Sequence, residues 1–418
     1  MAQTLVHNAY VEACRKRGEP AWLVGRRADA WQAASDLALP KLEKTIIERW
    51  GLEKVLPGTA PTEATPLSRD SKAGASLVTV NGWEQDAHID QALRTQGVLL
   101  MSLERAVAEH PEIVEPYLLT RPLAPDHLLA ALHRTYLQGG HLLYVPAGVE
   151  IDLPVEMVSA LGGQDAYPHT LVVLERGARA TLVHTELSID ESPIGVNSAV
   201  EAYLGEGAFL RYAVVQKLAS QVRAFQPRLA HLDRDARIEW IVVQAGGGRV
   251  VTTNQTLLEG EGASAESYAV FLGAGHQILD FQTKMNHLAS HTTSDIDSKG
   301  VMTDEAKAAY TGFTEIRKGA HGCASWQKEK TLMLSDSCRV DLIPALWIYD
   351  DDVQKAGHAA AAGQVNPEQL YYLMSRGIRQ KDALLLLVTG FLATILDRIP
   401  LAQIRDQIAE LAKETIAR

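Results

Sequence analysis

A short phrase that recurs between about residue 169 and residue 358 constrains the fold more than any other feature. Each copy has an apolar run, a tight polar turn, a small residue and an alternating run, as where Leu171–Ala178 leads into Arg179–His184. The small residues stand at positions 178, 208, 236, 263, 306 and 338, in steps of 30, 28, 27, 43 and 32 residues. A repeat of this length is typical of stacked units that are each too small to bury their own apolar face.

The composition of the repeats predicts a mainly β fold. The runs are short, β-branched and alternating, with Gly or Asp at the turns, so each unit is interpreted as strand, turn, strand. No helical pattern lies between the units, which favours a β-solenoid over a βαβ sheet. The small residue after each turn is expected to stack on its equivalents in neighbouring coils. The longer step of 43 predicts an insertion around Met285 to Ser298.

Helical patterns flank the repeats on both sides. In the N-terminal part the pattern continues through Leu39 to Trp50, with Gly51 as the expected C-cap. In the C-terminal part Asn366 is the expected N-cap of a first helix that ends at Gly377. We divide the chain into a helical region (1–55), a linker rich in Pro, Thr, Ser and Gly (56–76), a mixed α/β lead-in (77–140), a β-helix core (141–363) and a helical domain (364–418).

Charge and cysteine content exclude several classes of protein. The formal net charge of −11 argues against a nucleic-acid partner held through phosphates. The three cysteines, Cys14, Cys323 and Cys338, are too few and too far apart for a disulfide framework, which indicates a reducing compartment. No signal-peptide pattern opens the chain, and no apolar run is long enough to cross a bilayer. We therefore expect a soluble, cytoplasmic protein without a membrane partner.

Two polar clusters have the composition of metal sites but not the usual spacing. His287 and His291 are four residues apart, which places them on one face of a helix or a strand. Leu288 stands where a metalloprotease helix needs Glu, so polar residues in a loop are the favoured interpretation. Asp350–Asp352 is more typical of a solvated turn or an inter-strand cap, because consecutive residues of an extended chain point to opposite faces.

Three further residues are candidates for a role in chemistry. Cys338 occupies the small-residue position of a repeat and is expected to be an inert, buried thiol. Cys323, in Gly319–Cys323, is expected to be exposed and is a candidate soft metal ligand. His358 stands between glycine and a run of alanines, where the repeats end. Neutral imidazole is a good ligand for iron or zinc, although spacing alone favours a structural role.

The C-terminal third of the chain resembles a known family. Its motifs resemble the signature of the SufB/SufD family, which comprises scaffold proteins of the SUF iron–sulfur cluster assembly machine. The resemblance covers most of the chain from about Leu77 and is specific from Lys299 to Phe391. The motifs are Asp341–Val353, His358, Gly363–Gln364 and Glu368–Ile378, with upstream support from Lys299–Ala306 and from Gly312 through Thr331–Ser335.

The resemblance implies a fold, partners and a site. The fold is a right-handed parallel β-helix, or solenoid, between helical N-terminal and C-terminal parts. The partners are the related scaffold SufB and the ABC-type ATPase SufC, which contacts the region from Asn366 to about Pro400. His358 matches a histidine near the heterodimer interface that helps to form or hold the nascent cluster, so it is the candidate metal-binding and cofactor-binding residue. The candidate partner-binding residues are Tyr371, Ser375, Arg376, Gly377 and Phe391.

The departures from the family pattern favour the SufD branch over the SufB branch. The usual His-Gly-Ala-Thr is replaced by His358 and Ala359–Ala361, and Ala359 stands where SufB has glutamate. No cysteine occupies the place of the cluster-building cysteine of SufB. The resemblance therefore implies a non-catalytic subunit that supports cluster formation and iron acquisition. It would hold no cofactor tightly by itself, but share a transient iron–sulfur cluster or iron at the interface with SufB.

Two other functions stay open at the level of sequence. One is a SufB-type scaffold that loads a cluster unaided, and the other is a β-helical enzyme that acts on polysaccharides. The enzyme is disfavoured because a secretion signal is lacking and the acidic residues cluster at turns. A homodimer in the absence of SufB, the cluster type, and a contribution of Cys323 or Cys338 are also left open.

Overall fold

Strands dominate the molecule. The computed structural model describes residues 2–61, 73–121 and 127–417, with side chains described only within 9–416. Strands account for 43% and helices for 24% of the structure, which is a β-solenoid of about eight turns with helices at both ends. The predicted mainly β, solenoid fold is therefore confirmed.

Two long sheets form the walls of the solenoid, and each ends at the last coil of the chain. Sheet A contains, in spatial order, β2 (Trp83–Ile89), β1 (Ala75–Val80), β5 (Val155–Leu161), β7 (Arg179–Ser188), β10 (Phe209–Lys217), β12 (Arg237–Gln244), β14 (Ser264–Gly273), β16 (Thr293–Met302), β18 (Cys323–Met333) and β20 (Val353–Gln364). Sheet B contains β3 (Leu99–Ser102), β4 (Gly140–Val145), β6 (His169–Leu174), β9 (Ala199–Leu204), β11 (Arg223–Leu232), β13 (Arg249–Leu258), β15 (Ile278–His287), β17 (Lys307–Ile316) and β19 (Arg339–Ile348), and β8 (Gly195–Asn197) also pairs with β11.

The pairing of the strands corrects the predicted insertion. Ser264 pairs with Thr293, so the small-residue position after Ala263 is held by Thr292, a step of 29 residues. Ala306 precedes β17 and belongs to sheet B, and so does Cys338. The insertion predicted around Met285 to Ser298 was wrong, because β15 ends at His287 and β16 begins at Thr293. Two series of turns, one per sheet, alternate along the chain. The step of 43 residues arises because Ala263 belongs to the series of sheet A and Ala306 to that of sheet B.

The interior between the sheets is closely packed. The small residues after the turns of sheet A, including Ala178, Ala208 and Ala236, are fully buried, and Cys338 is only 8% exposed. These positions confirm that small side chains stack from coil to coil. Larger side chains such as Trp240 and Phe271 fill the remaining core. Each such side chain contributes roughly 1.5–3 kcal/mol by leaving water.

Nine helices lie outside the sheets in the described part of the chain. None of them combines the length and the apolar character that a bilayer-spanning segment requires. They are α1 (Ala2–Lys16), α2 (Ala21–Ala34), α3 (Gln91–Thr95), α4 (Leu103–Glu109), α5 (Pro111–Val114), α6 (Leu128–Tyr136), α7 (Pro367–Ser375), α8 (Gln380–Leu396) and α9 (Ala402–Ala417).

The segment from Leu39 to Trp50 is not the helix that its sequence predicts. It runs irregularly to a single 3-10 turn at Ile47–Arg49, and Gly51 adopts a φ of 66° before a second turn, Leu52–Lys54. Trp50 is buried in a cluster that includes Phe225 and Val251 of sheet B. Packing against the outside of that sheet has therefore overridden local helix propensity. Residues 62–72 of the predicted linker lie outside the described residues.

The C-terminal helices pack on the outer face of sheet A. Leu392 and Ile395 of α8 and Ile404 of α9 lie in one apolar cluster with sheet residues such as Val243. Arg398 adds ion pairs at 2.9 and 3.1 Å to two aspartates of β16, Asp295 and Asp297. By contrast, α7 has no buried residue, although the Asn366 side chain caps it as predicted. Helices α8 and α9 are therefore packed on the solenoid, whereas α7 is exposed.

Candidate functional site

The last coil of the solenoid has unpaired edges in both sheets. Among the described residues, β19 pairs with β17 alone and β20 pairs with β18 alone. Trp347, Ile348 and Tyr349 at the end of β19 are 53%, 43% and 58% exposed. Unpaired strand edges beside apolar side chains form a ready template for another chain.

His358 lies in the middle of this last coil. It belongs to β20 and pairs in register with Gln327 of β18, whose side chain is fully buried. In-register neighbours of a parallel sheet point to the same face, so the imidazole faces the interior side of the coil. It is nevertheless exposed, because no described coil covers it. Its inward neighbours Ala356 and Ala360 are small, so a molecule that approaches from the end of the solenoid can reach the ring.

The imidazole of His358 is suited to a site that another molecule completes. No group of three or more His, Cys, Asp or Glu side chains is arranged to hold a metal ion within the described ranges. One neutral nitrogen is a sound ligand for iron, but four-coordinate sites need further donors. The chain therefore offers part of a binding site at its open end.

A line of buried polar side chains lies directly beneath the last coil. Gln327, Glu329 and Thr331 of β18 alternate inward with exposures of 0%, 0% and 3%. The Gln327 amide donates hydrogen bonds to Thr314 Oγ1 at 2.6 Å and to the Ala345 carbonyl at 3.2 Å. The sequence did not predict this polar line, because every residue from Ser325 to Thr331 except Trp326 is polar. Without an alternation of polar and apolar residues, the sequence does not show which side chains point inward.

Glu329 is the titratable residue of this line, and its pKa is strongly shifted. Burial raises the pKa of its carboxyl group to about 8, and the backbone N–H of Gly312 offsets this effect only in part. Neither carboxyl oxygen receives a hydrogen bond of normal geometry. The carboxyl group presses against β17 so closely that a β-carbon on Gly312 would overlap its Oε1 atom. A strongly perturbed carboxyl group below an open coil is a candidate functional residue.

The cysteines lie away from the exposed surface. Cys323 was predicted to be exposed, which was wrong: it is fully buried, with its Sγ 3.1 Å from Thr292 Oγ1. It stands beside Thr292 in the small-residue series of sheet A, and this position explains its burial. Cys338 is buried as predicted, with its Sγ 3.2 Å from the Ser335 carbonyl. All three cysteines are free thiols.

The other sequence candidates have structural roles. His287 is buried between the hydroxyl groups of Thr292 and Ser294, at 2.8 and 2.9 Å, and burial lowers its pKa to about 4. His291 lies in the following turn with a φ of 58°, so the two histidines do not share a strand face. Asp350 accepts hydrogen bonds from the N–H groups of Gly319 and Asp352, as the predicted cap between strands requires.

The predicted partner-binding residues divide between an exposed and a covered surface. Tyr371 is 74% exposed, and Ser375, Arg376 and Gly377 are also exposed at the end of α7. Phe391 is partly buried, and the Lys299 ammonium group lies 4.4 Å from the centre of its ring. Exposed large apolar side chains of α7 and α8, with Tyr371 among them, form a set that we call the α7 surface. It consists of Tyr371, Tyr372, Met374 and Leu386.

Comparisons with known proteins give a family for this architecture. The family model for "SUF system FeS cluster assembly, SufBD core domain" matches residues 157–391, and that for "SufBD protein N-terminal region" matches residues 72–157. The iron–sulfur cluster assembly protein SufD of Bacillus subtilis (strain 168) is 33% identical over 96% of this chain and 95% of its own length. An iron–sulfur cluster assembly SufBD family protein of Staphylococcus epidermidis is 25% identical over 95% of this chain and 90% of its own length.

These matches confirm the resemblance found in the motifs from Lys299 to Phe391. The core match spans more than half of the chain and extends over the strands of the solenoid from β5 onward as well as most of α8. A further relative from Staphylococcus saprophyticus is 27% identical over 75% of this chain and 68% of its own length. The chain therefore belongs to the SufBD family of the SUF system of iron–sulfur cluster assembly.

Proposed function

We propose that this chain is a SufD-type scaffold subunit that pairs with SufB, docks the SufC ATPase and supplies one ligand for a nascent cluster. The single observation that supports this function best is the open last coil, with the exposed imidazole of His358 turned to its inner side. A subunit of this kind supports cluster formation and iron acquisition without catalysing a reaction itself. Its free, buried thiols are compatible with a cytoplasmic location.

The unpaired edges of β19 and β20 support the pairing with SufB. A second solenoid of the same family could extend both sheets by adding its own strands, since backbone N–H and C=O groups on an edge are unsatisfied. The exposed side chains of Trp347, Ile348 and Tyr349 would add apolar area to that contact. Donors from SufB would then complete the coordination around His358, and the cluster would be cargo of the complex.

The α7 surface supports the docking of SufC. Tyr371 and Tyr372 are 74% and 57% exposed, and large aromatic side chains are enriched where proteins bind each other. The helices beyond it are joined to sheet A through Arg398 and the apolar cluster around Leu392. A pull on α7 and α8 during ATP-driven closure of two SufC subunits would therefore reach the stacked coils, which form one stiff body.

The first prediction concerns His358. The complex of the full chain with SufB and SufC is reconstituted anaerobically with iron and sulfide, and the cluster is quantified by its visible absorption and its iron content. His358→Ala should lower the cluster content about tenfold or more, since a metal ligand is lost. The complex should still elute as one species in size-exclusion chromatography, because the alanine leaves both strand edges intact.

A matched control is His276→Ala, which removes a histidine whose side chain is 82% exposed in a turn far along the chain from the last coil. It should leave the cluster content unchanged. Equal cluster content in the wild type and in His358→Ala would remove His358 from the mechanism. Full cluster loading of the isolated chain, without SufB, would instead support the scaffold that works unaided.

A further inference from the structure

Glu329 is an exception among the buried carboxylates of the described chain. Each of the other five has a partner that neutralises or solvates it. Glu186 pairs with Arg228 at 3.0 Å and Glu239 with Arg211 at 2.8 Å. The remaining three are Glu201, 3.2 Å from His169; Asp297, 3.1 Å from Arg398; and Asp280, which accepts a hydrogen bond from Thr45 at 2.6 Å.

No cationic side chain compensates Glu329. Burial is the main cause of the raised pKa of its carboxyl group, and no charged neighbour contributes to that rise. Both carboxyl oxygens lack a hydrogen bond of normal geometry. A buried carboxylate is costly unless it is paired, hydrogen-bonded or bound to a metal ion. Burial raises the pKa of Glu329 to about 8, so the metal-free carboxyl group keeps its proton near neutral pH, and a bound cation would take the place of that proton.

The neighbours of Glu329 also lack partners for their oxygen atoms. Gln327 Oε1 and Thr331 Oγ1 flank it on the inward face of β18, and neither accepts or donates a hydrogen bond. Ser298, its in-register neighbour on β16, has a hydroxyl group without a hydrogen bond of normal geometry, although the Tyr310 hydroxyl group lies close to it. The four side chains lie on the inward side of two adjacent strands, β16 and β18, and comprise one carboxyl group and three neutral oxygen donors. Buried polar atoms without protein partners of normal geometry are places where a water molecule or an ion can bind.

We infer that Glu329 is the anionic ligand of an internal divalent-cation site, with Gln327, Thr331 and Ser298 as neutral oxygen donors. The chemistry fits a divalent ion that accepts carboxylate, amide and hydroxyl oxygens, a class that includes Mg²⁺, Mn²⁺ and ferrous iron. Within the proposed function, on which this assignment rests, the ion is ferrous iron held beneath His358 before it enters a cluster.

The last coil leaves a route to this site. The strand above β18 places Ala360 beside Glu329 and Ala362 beside Thr331, so small side chains cover the two oxygen donors. Both alanines are exposed at the open end of the solenoid. An ion entering there meets His358 and then the carboxylate one coil below. Binding of SufB over the end would close the route behind it.

The test uses the isolated full chain and Mn²⁺ as the probe, because Mn²⁺ favours oxygen ligands and does not oxidise as readily as ferrous iron. Binding is followed by the loss of the electron paramagnetic resonance signal of free Mn²⁺. The wild type should bind one Mn²⁺ ion per chain. Glu329→Gln should lower the affinity at least tenfold, and the isosteric Thr331→Val should lower it by a smaller factor.

Two controls separate this site from the surface and from His358. Glu305→Gln removes a carboxylate whose side chain is 65% exposed and should leave Mn²⁺ binding unchanged. His358→Ala should also retain binding, even if it abolishes cluster assembly. A wild type that binds no Mn²⁺ would overturn the site, and so would equal affinities of the wild type, Glu329→Gln and Thr331→Val. If Glu329→Gln loses its native circular dichroism, Thr331→Val decides alone.

Cluster assembly at limiting iron tests whether the ion bound at Glu329 is iron on its way into a cluster. If Glu329→Gln loses Mn²⁺ binding and the complex with SufB and SufC also assembles fewer clusters at limiting iron, the supply role is supported. If Mn²⁺ binding is lost while cluster assembly at limiting iron stays normal, the supply role is overturned. The proposed function fails by a different result, namely normal cluster assembly by His358→Ala.

Discussion

Glu329 links the interior of the solenoid to a measurable pH dependence. An unfolded chain releases this proton near pH 4.5, whereas the folded chain retains it until the pKa of about 8. Between these values the folded state binds more protons at Glu329, so the contribution of this residue to stability falls as the pH rises from 4.5 to 8. Each unit of difference is worth about 1.4 kcal/mol, so the total loss is on the order of a few kcal/mol.

The second variant experiment on this residue measures that loss. Urea unfolding of the metal-free protein, with a chelator present, gives the free energy of unfolding from pH 5 to pH 9. Glu329→Gln should flatten the decline and be more stable than the wild type at pH 8. The control Glu261→Gln, at an exposed turn, should keep the decline. An identical slope for Glu329→Gln and the wild type would show that the carboxyl group is not neutral in the fold.

Single residues also show the limit of prediction from sequence. The location of His358 at the end of the repeats followed from the resemblance and from the change to a helical pattern at Asn366. The burial of Cys323 did not, because its place in the small-residue series appears only when β16 and β18 are paired. Glu329 gave no sequence pattern either, since inward and outward residues of β18 are equally polar.

At the scale of elements, the docking of α8 should be separable from the folding of the solenoid. Leu392 is 1% exposed in the apolar cluster between α8, α9 and sheet A, which is distinct from the solenoid core. Leu392→Ala should cost roughly 2–5 kcal/mol of that contact. The C-terminal helices should then exchange backbone hydrogens faster, while the strands keep their protection.

Hydrogen exchange with peptide resolution measures this difference. The control is Leu386→Ala on the same helix, whose side chain is 53% exposed and should change exchange little. Uniformly faster exchange across α8 and the strands of sheet A in Leu392→Ala would mean that helices and solenoid unfold together. The docking would then belong to one cooperative unit.

The elements were predictable where local pattern and tertiary packing agree. The turns, strands and C-terminal helices follow from alternation, Gly and Asp at turns, and the Asn366 cap. The predicted helix over Leu39–Trp50 is absent although Ile47 and Trp50 have the i, i+3 spacing of a helical face, because their burial against sheet B is reached through a single 3-10 turn. The prediction of an insertion was wrong because each solenoid coil has two turns, and the sequence does not show which sheet each turn precedes.

At the scale of the whole molecule, the open last coil should tolerate small residues and reject charge. Ala361 is exposed on β20 beside Lys330, on the outward face opposite to that of His358. Ala361→Lys should weaken the complex with SufB at least tenfold, because charge on an edge strand opposes the addition of another strand. Ala361→Thr should retain it, since threonine suits a strand.

Analytical ultracentrifugation of the mixed subunits measures this affinity, and circular dichroism checks that each variant is folded. Ala33→Lys, at an exposed position of α2, serves as the charge control and should bind SufB normally. Equal affinity of Ala361→Lys and the wild type would place the contact with SufB elsewhere on the chain.

The two ends of the solenoid differ, and this difference limits the size of any assembly. The end opposite His358 finishes in β2 and β3, which are short, antiparallel to their neighbours and, in β2, charged through Glu84 and Asp86. Such a strand is a poor template for further pairing. A rod with two equivalent faces would polymerise into a fibre, because each added copy exposes the same surface again. If the last coil binds a partner as proposed, this rod is expected to join one neighbour and then stop growing, so a high protein concentration should yield closed pairs and not filaments.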